Sequence, residues 1–282
     1  MEGNRKNPPE SAGPSRSGQP APADGAAWTD KISLPNGLDF WLASEQVRPA
    51  AEFLIREIFA RRRYYRENFG IRRDDTIVDI GANMGLFTLW AAPQAPQGRV
   101  LAIEPGRVFD SLAHNLQANG LSNVIPIPAA VGNEGEEIEL VEHPGFNLVS
   151  HPSGIGPAWI TRLLIFVRYF RWRSPLVRRK VPCRSLGALM DEHGLRTVNF
   201  LKVDCEGAEY EIFRNLAPEH WGRIERIAME FHELRPGDRH RELVEILQRQ
   251  GFHVEIRKPL FQYYFMRFGE LWALRSGAPR GK

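Results

Sequence analysis

The chain has 282 residues, of which 43% are hydrophobic and 25% charged, so it can bury the core of one large globular domain. Its net charge of +3 permits an anionic partner without requiring one, and its two cysteines, Cys183 and Cys205, have no zinc-type spacing, which favours reduced thiols. It has no signal-peptide pattern and no apolar stretch long enough to span a membrane, so we expect a cytoplasmic protein.

The beginning of the chain is predicted to be a disordered leader. Residues 1–27 are rich in proline, glycine, serine and alanine and contain no aromatic residue, so they cannot bury enough apolar surface to offset their ordering entropy. Residues 28–282 are predicted to form one domain. Its first part, 28–74, is predicted to be a helical extension, because apolar residues recur at helical spacing between Ser44 and Gly70.

Strands and helices are predicted to alternate after this extension. Short apolar runs predict strands, and amphipathic runs between them predict helices. The strands are TIVDI (76–80), RVLAIEP (99–105), NVIPIPAAV (123–131), EEIELVE (136–142), VNFLKVD (198–204) and RIAMEF (226–231), closed by the pair FHVEIRK and ELWALR; the helices are 85–92, 107–120, 209–218 and 240–251. This alternation predicts an α/β fold with a mostly parallel sheet and helices on both faces.

The loop after the first strand of this sheet is predicted to bind a ligand, because ligands bind beyond the carboxyl ends of such strands. Asp79, Gly81, Asn83 and Gly85 lie there. A dinucleotide site would need glycine in place of Asn83, so a phosphate-free nucleoside with an amino-acid tail fits better. Glu104 ends the next strand, where an acid accepts hydrogen bonds from ribose hydroxyls. This combination is the arrangement that binds S-adenosylmethionine.

Four stretches together resemble the FkbM family of methyltransferases, from about Trp28 to the end of the chain. They are VDIGANMGLFTL, LAIEPGRVFDSLAHNLQANG, FLKVDCEGAEYEIFRNL and MEFHE. The most distinctive part is KVDCEGAEYE, which matches the family's lysine, apolar residue, aspartate, any residue and EGAE. The resemblance implies a Rossmann-like class I methyltransferase fold, with a seven-stranded sheet whose last strand is antiparallel. It also implies methyl transfer from S-adenosylmethionine, typically to a hydroxyl of a sugar or natural product.

Side chains at two strand ends are the candidate catalytic residues. Asp204 and Glu206 follow the fourth core strand, and Glu230 and His232 end the fifth, so all four could border the methyl group. A positioned base accelerates transfer to a hydroxyl by a factor of about 10² to 10⁴. His232 is the best base by intrinsic pKa, and Asp204 is better placed if the acceptor hydroxyl docks beside it. Lys202 is predicted to neutralise these acids or to pair with Glu230.

Three further assignments follow from the same region. Carboxylates and a histidine could hold magnesium or calcium, which would acidify a hydroxyl, but the spacing matches no metal motif and a metal-free site is favoured. Glu209 and Glu211 begin a helix, where the dipole favours acids; we assign Glu211 to that structural role and leave Glu209 open. Cys205 is predicted to be a core residue rather than a nucleophile.

A basic and aromatic insert is predicted at about 143–182. No acidic residue occurs between Glu142 and Asp191, and the stretch 161–184 contains eight basic residues among aromatics. The first hypothesis is a lid over the acceptor site. The second is contact of 162–184 with an anionic membrane surface, and an ordinary helix with solvated arginines stays open. Nucleic acid is disfavoured because no recognised binding module accompanies the charge.

These observations predict an S-adenosylmethionine-dependent O-methyltransferase acting on a small-molecule or glycan acceptor. The expected location is the cytoplasm, with peripheral membrane contact if the insert provides it. The alternative is a cofactor-binding interaction or membrane-associated module without transfer activity, and a nicotinamide-dependent dehydrogenase is a third hypothesis. The acid cluster of Asp204, Glu206 and His232 favours the enzyme, because a pure binding module would not need it.

Overall fold

The structure, a computed structural model, describes residues 28, 30–142, 150–152, 177–260, 263–264 and 267–278. The predicted leader and most of the predicted insert therefore lie outside the described residues. The strands are β1 (Asp30–Ser33), β2 (Asp39–Leu42), β3 (Thr76–Ile80), β4 (Arg99–Ile103), β5 (Val124–Ile127), β6 (Ala130–Val131), β7 (Glu137–Glu142), β8 (Ser150–Pro152), β9 (Val177–Arg184), β10 (Phe200–Val203), β11 (Arg226–His232), β12 (Phe252–Arg257) and β13 (Phe268–Arg275).

The α-helices precede or connect these strands. They are α1 (Arg48–Ile55), α2 (Leu86–Ala91), α3 (Phe109–Ala118), α4 (Leu186–Glu192), α5 (Glu209–Arg214), α6 (Pro218–Trp221) and α7 (His240–Arg249). The core strands and helices predicted from the sequence are present, with ends that differ by a few residues, except that the predicted strand 123–131 is divided into β5 in the central sheet and β6 in a smaller sheet.

The central sheet has seven strands in the order β12-β13-β11-β10-β3-β4-β5. The pairs β10–β11, β10–β3, β3–β4 and β4–β5 are parallel, whereas β13 is antiparallel to both β11 and β12. This arrangement confirms the predicted Rossmann-like class I methyltransferase fold, including its antiparallel last strand. It places β3 and β10 side by side at the centre of the sheet.

Apolar cores cover both faces of this sheet. Ile77 belongs to one core, together with side chains of α1, α2 and α3, whereas Val78 belongs to the other, together with side chains of α4 to α7. Successive residues of a strand point to opposite faces, so near-continuous apolar strands such as β3 and β10 are buried on both sides. The prediction of helices on both faces is confirmed.

The N-terminal extension differs in part from its prediction. An antiparallel hairpin, β1–β2, precedes the helix, and its turn contains Gly37 in the left-handed region at a φ of 85°. The helix α1 continues as one π-helical turn over Arg56–Ala60 and then ends, well before the predicted end at Gly70. The Asn36–Gly37 pair between apolar runs is a hairpin signal that the sequence interpretation did not use.

A smaller sheet lies beside the central one, in the order β6-β9-β7-β8. Its strand β9 contains Val177–Pro182, so the last part of the predicted insert is a strand. Among the described residues, no helix has the length and apolar character that crossing a membrane requires. Cys183 and Cys205 are both free thiols, as predicted.

Candidate active site

The glycine loop after β3 is pressed against the end of the neighbouring strand β10. Gly81 has a φ of 73°, and a Cβ added there would lie 1.8 Å from the carbonyl oxygen of Asp204. Its backbone N–H donates to the carbonyl oxygen of Ile103 at 3.0 Å, which ties the loop to the end of β4. Gly81 therefore brings three strand ends together, and its close approach to a ligand stays a prediction.

Glu104 is fixed at the end of β4 by two backbone donors. Its Oε2 accepts from the N–H of Asn83 at 2.9 Å, and its Oε1 accepts from the N–H of Gly106 at 2.7 Å. The side chain is only 6% exposed, and this burial raises its pKa. Each carboxylate oxygen has a second lone pair, so this rigid group can still accept hydrogen bonds from a diol.

Asp79 is fully buried beneath the glycine loop. Its Oδ2 accepts from the hydroxyl of Thr88 at 2.6 Å, and its Oδ1 lies 3.0 Å from Nζ of Lys202. Lys202 also donates to the carbonyl oxygen of Gly81 at 2.6 Å. Lys202 thus supports the loop and pairs with Asp79, not with Glu230, which corrects one of its two predicted roles. A direct contact between Asp79 and the ligand stays a prediction.

These groups fit the predicted S-adenosylmethionine site in the chemistry of their donors and acceptors. Glu104 offers oriented acceptors for two ribose hydroxyls, and Gly85 begins α2 at the far end of the loop with a φ of 94°. Asn83, with a φ of 51°, occupies the position where a pyrophosphate site needs glycine for close approach of the phosphate to the backbone. The loop suits a nucleoside without phosphate.

Asp204 is held at the end of β10 as a carboxylate. Its Oδ2 accepts from the hydroxyl of Tyr64 at 2.9 Å. Burial works to raise its pKa, but the positive charges of Lys202, His232 and Arg63 outweigh burial and lower the pKa. Asp204 is therefore ionised at neutral pH and is a ready acceptor of hydrogen bonds.

Glu206 has a backbone conformation and a pKa that are unusual for glutamate. Its φ of 52° lies in the left-handed region, which costs energy for a residue with a side chain and often marks a functional site. Its Oε2 lies 3.7 Å from Nε2 of His232. Burial raises its pKa to about 7, so the carboxylate can take up or release a proton near neutral pH.

His232 lies at the end of β11 among three glutamates. Its Nδ1 is 2.9 Å from Oε1 of Glu209, and its Nε2 is 3.4 Å from Oε1 of Glu230. Burial works to lower its pKa, but the charges of Glu206 and Glu209 outweigh burial and raise the pKa well above its usual value. At neutral pH the ring is protonated, which argues against His232 as the general base.

Glu209 orients this histidine and is one of the residues whose role the sequence left open. It is fully buried, and its Oε1 also accepts from the backbone N–H groups of Gly207 at 3.2 Å and Cys205 at 3.3 Å. Glu211, in contrast, pairs with Arg235 away from this cluster. Cys205 packs partly buried against the apolar core, as predicted.

Arg63 and Tyr64 are side chains in this site that the sequence interpretation missed. Both follow the π-helical turn, where Arg62 adopts a φ of 49° and the N–H of Arg63 donates to the carbonyl oxygen of Glu57 at 3.0 Å. Arg63 forms an ion pair with Glu230, and its Nε lies 3.4 Å from Oε1 of Glu270. A π-helical turn often marks a functional site, but no periodic sequence pattern predicts one.

Asp204, Glu230 and His232 are arranged closely enough to hold a cation. One ligand atom from each lies within 4.8 Å of the others. Oxygen and imidazole ligands of this kind accept hard or borderline divalent ions. This geometry favours the hypothesis of a divalent metal. However, Arg63 already forms an ion pair with Glu230, which is one of the three residues.

Gly81→Ala is expected to damage the site severely, because the added methyl group would overlap the carbonyl oxygen of Asp204. We expect the free energy of unfolding to fall by more than the ~1 kcal/mol that a left-handed alanine costs. We also expect the affinity for S-adenosylhomocysteine to be at least tenfold weaker. Thermal unfolding and calorimetry measure the two effects. The matched control is Gly120→Ala, where φ is 63° but no atom lies within 4 Å of the new Cβ. Equal losses in both variants would contradict this account of Gly81.

Comparison of the sequence with known proteins finds a matching family and several relatives. The FkbM methyltransferase domain matches residues 79–254. Methyltransferase 1 of Beauveria bassiana is 27% identical over 242 residues, which cover 83% of this chain and 93% of that protein. The 31-O-demethyl-FK506 methyltransferase FkbM of Streptomyces tacrolimicus is 27% identical over 246 residues, which cover 82% of this chain and 92% of that protein.

Solved structures are similar as well. The crystal structure of methyltransferase FkbM from Methylobacillus flagellatus has a TM-score of 0.46 and 14% identity, over 82% of this chain and 56% of that one. The family domain includes the glycine loop, Glu104, the KVDCEGAEYE stretch and His232, but it begins after Arg63 and Tyr64. The chain belongs to the FkbM family of S-adenosylmethionine-dependent methyltransferases.

Proposed function

We propose that this enzyme methylates a hydroxyl oxygen of a small-molecule natural product or glycan, with Glu206 as the general base. The observation that carries the proposal is the position of Glu206 at the end of β10, in a left-handed conformation, with its carboxylate facing His232 and a pKa of about 7. A general base works best when its pKa lies near the operating pH. The name of the Streptomyces relative, a 31-O-demethyl-FK506 methyltransferase, supports an oxygen acceptor.

Different residues would bind the cofactor and transfer the proton. Glu104 and the loop from Gly81 to Gly85 would hold the cofactor, which when bound supplies a methyl group on a cationic sulfur. Asp204 is ionised and would accept a hydrogen bond from the acceptor or a neighbouring hydroxyl. Glu206 would take the hydroxyl proton, and the His232 imidazolium would stabilise the Glu206 carboxylate beforehand by its charge.

The competing hypotheses differ in what they need from this site. A binding module without transfer would need only the Glu104 end, whereas an enzyme would use the cluster around Glu206 for proton transfer. Membrane contact through 162–184 stays a prediction, because 162–176 lie outside the described residues. In the described part, Nη1 of Arg178 lies 2.7 Å from Oε2 of Glu139, and Nζ of Lys180 lies 3.9 Å from Oε2 of Glu137. These two charges therefore already have partners.

Identifying the methylated atom tests the proposal. The enzyme is incubated with methyl-deuterated S-adenosylmethionine and a panel of hydroxylated natural products and sugars, each paired with its deoxy analogue. We expect a labelled methyl ether, located by NMR, from hydroxylated members and none from their deoxy partners. Label on nitrogen, carbon or a carboxylate ester would contradict the proposal.

The pH dependence of turnover is expected to follow Glu206. A base must be ionised to accept a proton, so kcat should fall about tenfold per pH unit below about 7 and level off above it. Because the pKa of Glu206 is raised above the glutamate value of 4.5, the fall in kcat occurs at pH values where the enzyme can be assayed. Steady-state kinetics with both substrates saturating measures it. A flat profile between about pH 5.5 and 8 would remove Glu206 from the proton-transfer step.

A further inference from the structure

We propose that Arg63 is the built-in counter-cation of Glu230 and Glu270 beside the catalytic residues, and that it takes at Glu230 the place that a divalent metal would otherwise take. Only the catalytic importance of Arg63 rests on the proposed function. Its role as a counter-cation can be measured without a methyl acceptor. Arg63 lies outside the region that matches the FkbM domain.

Arg63 contacts one member of the cluster that could hold a cation. It pairs with Glu230, which is one of the three residues whose ligand atoms converge, while the other oxygen of Glu230 faces Nε2 of His232 at 3.4 Å. Glu230 thus bridges Arg63 and His232. The Arg63 side chain is only 12% exposed, so its charge acts within the site rather than in solvent.

The charges around this point require such a cation. Glu230 and Glu270 face each other across adjacent antiparallel strands, since they are direct register partners of β11 and β13. Like charges opposite each other in a sheet are destabilising unless a cation separates them. Arg63 reaches both, and Arg257 approaches Glu270 from the exposed side at 3.5 Å.

Lys202 and His232, two other cations among the described residues of the site, already have partners. Lys202 is bound to Asp79 and to the carbonyl oxygen of Gly81, and the His232 ring lies among Glu206, Glu209 and Glu230. A guanidinium cannot lose its proton in a protein, so Arg63 provides a permanent charge. Its pKa is raised further, because the negative charge of Glu230 outweighs the lowering effect of burial.

Arg63 is also held by its own segment. The left-handed turn at Arg62 directs the following side chain inward, and the guanidinium carbon lies 5.8 Å from the ring centre of Phe268. The Phe268 ring in turn packs 5.9 Å from the His232 ring. A flexible surface arginine would not be confined in this way.

Two consequences follow. The wild-type enzyme needs no added metal to balance its carboxylates. Removing the charge of Arg63 leaves the buried Glu230 carboxylate uncompensated. A divalent ion can then bind the carboxylates of Asp204 and Glu230, and His232 joins them as a ligand by releasing its ring proton to solvent. A metal that binds this vacated position should then stabilise the variant, whereas a merely structural arginine would leave no such site.

The test is Mn²⁺ binding by electron paramagnetic resonance and thermal unfolding, with wild type, Arg63→Met and Arg63→Lys. We expect no cluster site in wild type or Arg63→Lys, and an affinity roughly tenfold or more tighter in Arg63→Met, with a rise in Tm when Mn²⁺ is added. The site should disappear in Arg63→Met combined with Glu230→Gln. The control is Arg61→Met, whose side chain is 65% exposed and pairs with Glu57 on the surface.

Each contrary outcome overturns the proposal. A Mn²⁺ site in the wild-type enzyme that Glu230→Gln removes would show that the cluster takes a metal beside Arg63. A folded Arg63→Met that binds no Mn²⁺, or an unfolded one that Mn²⁺ does not rescue, would show that Arg63 has only a structural role. Failure of methyl transfer to a hydroxyl affects none of these readouts, so the two proposals fail separately.

Discussion

Glu206→Gln is expected to lower kcat by a factor of about 10² to 10⁴ with little change in cofactor affinity, because the amide keeps the size of the carboxylate but cannot accept the hydroxyl proton. The remaining activity should lose its acid limb near pH 7, since that limb reports the pKa of Glu206. Single-turnover kinetics measures the effect, and calorimetry with S-adenosylhomocysteine measures the affinity.

Stability separates this catalytic effect from damage to the fold. The pKa of Glu206 is raised above 4.5 in the folded protein, so the stability that its protonated form contributes is lost as pH rises through about 7. The neutral amide avoids that loss, and Glu206→Gln should therefore unfold at a higher temperature than wild type at about pH 8 and show little difference at about pH 5. The matched control is Glu211→Gln, in the same segment but paired with Arg235. A similar fall in kcat in the control, or a Glu206→Gln enzyme with normal turnover, would contradict the assignment.

Glu104→Ala is expected to weaken S-adenosylhomocysteine binding on the order of 10²-fold or more. In the proposed cofactor site the carboxylate would accept two hydrogen bonds from ribose hydroxyls, and a hydrogen bond to a charged group contributes roughly 1.5–3 kcal/mol. The substitution also leaves the backbone N–H groups of Asn83 and Gly106 without their partner, which loosens the loop. Isothermal titration calorimetry measures the change.

A buried carboxylate at the other end of the sheet serves as the control. Asp75 directly precedes β3 and is only 1% exposed, and it accepts from the backbone N–H of Arg72 at 2.8 Å while pairing with Arg226. Asp75→Ala should lower Tm but leave cofactor affinity within a few-fold of wild type. Near-normal affinity of Glu104→Ala, or equal losses of affinity in both variants, would count against the ribose assignment.

The central sheet could be predicted from the sequence because its parallel strands are buried on both faces. Runs such as TIVDI and FLKV are mostly apolar. Their buried charges, Asp79 and Lys202, lie next to the carboxyl ends and pair with each other, and the candidate functional residues follow those ends. The hairpin β1–β2 was missed although Asn36 and Gly37 mark its turn. The end of α1 was predicted too late, because charged and aromatic residues of the following turns continue a helical pattern.

The sequence predicted the candidate site residues that lie at or just after strand ends. Asp204, Glu206 and His232 converge as expected, since they follow neighbouring parallel strands. Arg63 and Tyr64 could not be predicted, because they come from a turn whose sequence separation from Asp204 is 140 residues at Tyr64. The assignment of the general base also needed the structure, because burial raises the pKa of Glu206 and neighbouring carboxylates raise the pKa of His232, and both arise only on folding.

The most direct test of the account is a crystal structure of the enzyme with S-adenosylhomocysteine. We predict both ribose hydroxyls within about 3 Å of the Glu104 carboxylate, with the sulfur on the side of Asp204 and Glu206. A ligand whose ribose makes no contact with Glu104, or whose sulfur points away from Glu206, would contradict both the cofactor site and the catalytic assignment.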